Sequence, residues 1–523
     1  MDRSLEFERS VAVNAIPKSG QEIETVLSGL FQEVNDAVAR IEASFQRSLI
    51  QQIHPELVGY LPATGLVRFS PQPWGVSLEP RTNMRANRGV QSSNNHLFES
   101  VATTSPLPLN VSEVHAGPLK SISLAEAKSE ICLKFSRLSD IEPRPIREWE
   151  DFDRVVIHFS GMQAWRCYQE FCHDTIAVLA RNSPTGKWIP VSMNFESPPF
   201  LLEPALSRPG CRILQEFFHF PSAMLRCEVR LPRQLTQSLD DQFDLMVVRK
   251  ERFTGLSSWS AEQILSRVAP VVALREEVSI VEIPPHYSWS PLGLTNEQTL
   301  HEVLNVEVLD SSNDRWCKFP RTMNGRDGWW IDYRFEVPRL VVRGLTSESP
   351  RTFRVRIRAG NSGTQATDRE PIVTNDGLHH GKLLRFTREV ELAETLSVPI
   401  SSTFQQLARG NAEAFRQLIQ ASSNTGDSGQ SLREQILDGV SLTLVTPVSW
   451  EGIAFPGEQP GRHRGLNFQV VIEEAAFPDN APALFVNTLD RFLGSLAEPP
   501  RFHQLTAMLV GTEKVFKCKP RFQ

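Results

Sequence analysis

The chain has no uncharged apolar run approaching the ~18 residues that a helix needs to cross a bilayer, so no membrane-spanning segment is expected. Its opening residues, Met1-Asp2-Arg3-Ser4-Leu5-Glu6-Phe7-Glu8, are acidic and lack the apolar stretch of a secretory signal, and no signal peptide is expected either. A strong charge bias is also missing: a net formal charge of −6 over 523 residues leaves no electrostatic footprint for nucleic acid. Cysteine is sparse. The seven residues, Cys132, Cys167, Cys172, Cys211, Cys227, Cys317 and Cys518, are odd in number and scattered through mostly apolar runs. Buried thiols in a reducing compartment account for that pattern better than a disulfide framework. No tandem repeat, G-x-S-x-G motif, phosphate loop or dinucleotide fingerprint occurs. What the chain does have in quantity is proline, 36 residues, which favours long connections and short strands over long uninterrupted helices.

The most distinctive stretch is Gly210-Cys211-Arg212-Ile213-Leu214-Gln215-Glu216-Phe217-Phe218-His219-Phe220-Pro221-Ser222-Ala223-Met224-Leu225. Three phenylalanines in four positions, beside one carboxylate and one histidine, are too apolar for a loop tip. The stretch predicts a short buried helix over 212–219, stopped by Pro221, because proline cannot continue a helix and biases its predecessor toward extended backbone. A strand over 224–231 follows.

Near the start, Ser19-Gly20-Gln21-Glu22 fits a capping box. The series Ile23, Val26, Leu27, Leu30, Phe31, Val34, Val38, Ile41, Phe45, Leu49 then puts one apolar stripe along a helix of about eight turns, ended by His54-Pro55. Nothing nearby in sequence covers the whole stripe, so it packs either elsewhere in the chain or in a bundle with another molecule. The expected fold class is α+β multidomain: an N-terminal long helix (1–60), a mixed α/β first domain (61–240), a β-rich middle domain (241–400), and a C-terminal helix, linker and small α/β domain (401–523). Residues 422–431, rich in Ser, Gly and Asn, read as a flexible linker. Arg354, Arg356 and Arg358 alternate with Val355 and Ile357, which suggests an exposed cationic face: a charged edge strand, or a surface for an acidic partner.

Few groupings invite chemistry. Cys167, Cys172, His173 and Asp174 are the residues a metal-dependent or hydrolytic enzyme would use. Cys172 and His173 are adjacent, however, so on a helix they diverge by about 100° and cannot readily share an ion, and no second ligand pair occurs at structural-zinc spacing. His379-His380, between glycines, reads as a loop, and Gly461-Arg462-His463-Arg464-Gly465 as a tight cationic turn. The carboxylates of Glu473-Glu474 would face opposite ways on a strand and cannot form an acid/base couple. No catalytic residue, metal or cofactor is expected.

At Leu214, Glu216, Phe217, Phe218, Phe220 and Pro221 the chain resembles the TssF family, the baseplate wedge subunits of bacterial type VI secretion systems, whose members carry L-x-E-Y-F-x-F-P, here with phenylalanine for tyrosine. His54-Pro55-Glu56-Leu57-Val58-Gly59-Tyr60-Leu61-Pro62, Val155-Val156-Ile157-His158-Phe159-Ser160-Gly161, Pro270-Val271-Val272-Ala273-Leu274 and Leu489-Asp490-Arg491-Phe492-Leu493 are similar to further family segments, in family order. The family's opening helix with paired tyrosines is missing, and Ala273 and Arg275 replace its asparagine and phenylalanine, so the chain resembles a short, divergent member. The resemblance implies a cytoplasmic structural protein without enzymatic activity. It would pair with a second copy of itself and a TssG-like subunit in a wedge, bind a TssK-like adaptor, and surround a VgrG-like spike hub with sheath and tube components. Docking at the inner membrane would run through a membrane complex, without membrane insertion. On that reading Ile23, Leu27, Leu30, Val34, Val38, Ile41 and Phe45 form the partner interface. The alternative is a baseplate subunit of a phage tail or extracellular contractile injection particle.

Overall fold

The computed structural model describes residues 59–522, apart from 87–96, 197–208, 362–370, 393–406, 453–460 and shorter stretches. The helix expected over 23–49 lies outside the described residues.

Six antiparallel strands close into a barrel in the order Val268–Val272, Thr64–Phe69, His380–Thr387, Pro371–Thr374, Asn83–Ala86, Leu97–Ser100. They come from three well-separated parts of the chain. Period-2 alternation turns Val67, Phe69, Met84, Phe98, Val271, Ile372 and Leu383 into its interior. The barrel is narrow enough to require glycine at one contact: a Cβ on Gly381 would sit 2.8 Å from Val67 Cγ1 and 3.0 Å from the Arg68 carbonyl oxygen.

Between barrel strands Val268–Val272 and Pro371–Thr374 the chain makes a β-sandwich. One sheet is ordered Leu274–Ile283, Arg351–Asn361, Gln298–Asp310, Arg315–Lys318; the other Trp289–Pro291, Arg339–Arg343, Gly328–Asp332. Val281, Leu300 and Val355 of the first meet Trp329, Leu340 and Val342 of the second in one core. The arginine-rich strand is central here, not an edge, and its three alternating arginines are matched by carboxylates. Arg354 pairs with Glu307 and Arg356 with Glu276. Arg358 is buried, bonded to the equally buried Glu99 of the barrel, with Glu302 at 3.7 Å. The expected cationic face is therefore neutralised by carboxylates 47, 80 and 259 residues away in sequence, beyond any local pattern.

A five-stranded sheet (Leu109–Pro118, Ser129–Arg137, Gln242–Arg249, Thr175–Arg181, Ile189–Pro190) and a four-stranded one (Ser192–Asn194, Arg226–Arg230, Arg154–Phe159, Ile264–Leu265) carry helices α1 (Ala164–Cys172) and α2 (Pro209–His219). Toward the C-terminus, α3 (Ala412–Ser422) and α4 (Asp427–Gly439) precede the antiparallel pair Val440–Gly452 and Gly461–Ile472. The latter runs parallel to Phe502–Leu509, and α5 (Ala483–Gly494) makes the crossover that a parallel pair demands. Two local expectations change. Residues 427–431 belong to α4 instead of a linker, because Leu432, Ile436 and Leu437 at helical spacing pack into the core and hold it. Residues 461–465 lie inside a strand and do not form a turn.

The expected α+β class is also corrected. Among the described residues 50% lie in strands and 18% in helices, and the architecture is mostly β. Strands such as Gln298–Asp310 and Val440–Gly452 are 13 residues long. Only their apolar centres stand out in the sequence; the flanking polar residues read as loop although they continue the ladder.

Candidate assembly core and interface

Leu214, Phe217 and Phe218 sit three and four positions apart on α2, so they share one face, and all are buried. The Phe220 amide closes the last helical turn by donating to the Glu216 carbonyl at 2.8 Å. Pro221 then begins a short 3-10 turn, Pro221–Met224, that feeds strand Arg226–Arg230. The Phe217 ring lies 5.8 Å from Trp165 of α1, 5.0 Å from Phe218 and 5.5 Å from Phe485 of α5. Glu216 and Phe220 are buried in the same segment.

The segment also reaches the barrel. His219 Nε2 lies 2.9 Å from the Pro62 carbonyl, which can only accept, so that nitrogen carries the proton. Arg385 of barrel strand His380–Thr387 donates to Ser222 Oγ at 2.9 Å. One hydrophobic core consequently runs from Leu61 to Phe516 and joins the five- and four-stranded antiparallel sheets to the C-terminal sheet around α2.

Helix α1 and the segment that leads into α5 cap one another, Asp479 lying in the 3-10 turn Pro478–Asn480 before α5. The N-cap of α1, Gln163, is left-handed and its side chain makes no capping bond. Asp479 supplies the missing acceptor, taking the Trp165 amide at 3.1 Å. In return Gln169 Oε1 of α1 accepts the Ala483 amide, the first of α5, at 3.1 Å. The Tyr168 hydroxyl, pushed well above its ordinary range by burial, accepts from Asn487 Nδ2 at 3.0 Å. Asp479→Ala should cost about 1 kcal/mol, as lost helix caps do. The check is the urea unfolding midpoint, with Asp479→Asn retaining most of the stability; an unchanged midpoint in the alanine variant would mean the cap is idle.

The structure places the sequence-derived candidates as follows. Ile23, Leu27, Leu30, Val34, Val38, Ile41 and Phe45 lie outside the described residues. Leu214, Phe217, Phe218 and Phe220 belong to one core where α1, α2 and α5 meet, Glu216 is buried beside them, and Pro221 is half-buried at the start of the 3-10 turn. Cys167 is buried, its thiol pushed up to about 12 by desolvation, and the His173 ring lies 4.1 Å from Phe516. Among the described residues no three His, Cys, Asp or Glu side chains converge as a metal site would require, and Asp174 lies outside them. No described helix is long and apolar enough to cross a membrane. Sequence reading missed Asp479 and Gln169, 314 residues from the groups they cap and without a local signal.

The family model described as "Type VI secretion system, TssF" matches residues 39–319. A chain in a solved type VI secretion TssK-TssF-TssG baseplate subcomplex has the same fold, with a TM-score of 0.70 at 15% identity over 95% of this chain and 97% of that one. A chain of a second type VI secretion baseplate complex gives 0.56 at 14% identity, over 100% of this chain and 96% of that one. No curated protein sequence matches the chain.

Proposed function

The chain belongs to the TssF family of type VI secretion systems and is a structural component of the baseplate wedge, and from that premise we propose that its work is assembly, through a TssG-like subunit and a TssK-like adaptor. The observation that carries this reading is the family match, which spans more than half of the chain. The shared fold with a chain from a TssK-TssF-TssG subcomplex supports both partners. The continuous core around α2 suits a part that must hold its shape while neighbours dock on it.

On this reading the apolar stripe Ile23, Leu27, Leu30, Val34, Val38, Ile41 and Phe45 packs in a helix bundle with the TssG-like subunit and a second copy of the chain, which covers a face too long to leave in water. The protein has no enzymatic role. It sits in the cytoplasm around a spike hub, tied to the inner membrane through the adaptor. Co-expression with the TssG-like subunit should give a stable heteromer. A Leu30→Glu/Val34→Glu variant should lose that partner and keep the unfolding midpoint of the parent chain. A chain that stays alone beside the TssG-like subunit, with secretion intact after its gene is deleted, overturns the reading.

A further inference from the structure

A groove of about 570 Å³ opens between α1, α5, strand Ser192–Asn194 and the C-terminal strands. Tyr168, Phe195, Leu484 and Phe516 give it apolar walls. Its charges do not cancel. The two acids that line it, Glu196 and Asp490, are both held by Arg521. Arg491, Lys517 and Lys519 line the same groove, and among the described residues none of the three has a carboxylate within ion-pair distance. Arg491 is half-buried, and desolvation lowers its guanidinium from the ordinary range; Glu196 and Glu216 oppose that only from a distance. A cation held in such a place without a partner is unfavourable until an anion reaches it. The lysines stand at the end of strand Val515–Lys517 and just beyond it. That strand is the last in its sheet, so an extended backbone can lie along it.

We propose that this groove docks an extended acidic segment of a partner protein, its carboxylates against Arg491, Lys517 and Lys519 and an apolar side chain against Phe195 and Phe516. The inference rests on the assembly role, which supplies protein partners. It goes beyond that role by assigning a second docking site, on the opposite part of the sequence from the N-terminal stripe.

The test uses the full chain and a short fluorescein-labelled peptide of alternating glutamate and leucine, read by anisotropy. Matched lysine/leucine and glutamate/serine peptides are the controls. The glutamate/leucine peptide should bind, weaken as salt is raised, and weaken by roughly tenfold or more in Arg491→Gln and in Lys517→Glu/Lys519→Glu. The two lysines are exposed, so the double variant should keep the parent's unfolding midpoint. Equal binding of the lysine/leucine peptide, no effect of either variant, or no binding at all overturns the proposal. So does displacement of the peptide by inorganic phosphate at the same concentration, which would assign the groove to a small anion. Co-purification of the unmodified chain with the TssG-like subunit is read in parallel. A chain that keeps this partner and ignores the peptide refutes the groove alone; a chain that loses both refutes the assembly role.

Discussion

Phe217→Ala should destabilise the protein by about 3–5 kcal/mol, the range for removing a fully buried aromatic ring. The ring has no exposed surface and touches aromatic rings on α1, α2 and α5. Its loss opens a cavity where three helices meet, and these close-packed walls cannot collapse into it without moving a helix. The loss should appear as a lower urea midpoint and as weaker recovery of the heteromer with the TssG-like subunit. Phe217→Leu should lose much less, because it keeps most of the volume and apolar surface. If the alanine variant unfolds at the parent's midpoint, α2 is peripheral to the core and the account of the junction fails.

Arg358→Ala should cost about 3–5 kcal/mol, because it strands the carboxylate of Glu99 in the interior without its bonded partner, leaving only the longer-range pull of Arg81. Both side chains are almost wholly buried, at 2% and 3% exposure, and their bond joins the sandwich to the barrel. Burial raises the Glu99 carboxyl above its usual range even with Arg358 pulling it down. Without the guanidinium it should rise further. An acid whose folded-state pKa is raised destabilises the fold as pH rises past its unfolded value, so the deficit of Arg358→Ala should be smaller at about pH 5 than at about pH 8. The double variant Glu99→Leu/Arg358→Met should recover most of the stability, because it removes both charges and preserves volume. A single variant as stable as the parent at both pH values would show that the pair is not buried in solution.

By itself, the sequence was enough to locate the signature helix and the proline that ends it, the strands at 154–159 and 243–248, and the family likeness carried by Leu214, Glu216, Phe218, Phe220 and Pro221. These are local properties: apolar spacing, a helix stop, and an ordered series of short motifs. Only the tertiary structure decided that barrel strands at 64–69, 268–272 and 371–374 belong together, that Arg358 is buried against Glu99, and that α2 rests on α5, far along the chain at Ala483–Gly494, instead of only on the strand it feeds. The physical reason is the same in each case. A strand's neighbours, a charge's partner and a helix's cap are set by contacts between distant segments, and a period of 2 or 3.6 carries the orientation of a side chain but not the identity of what it meets.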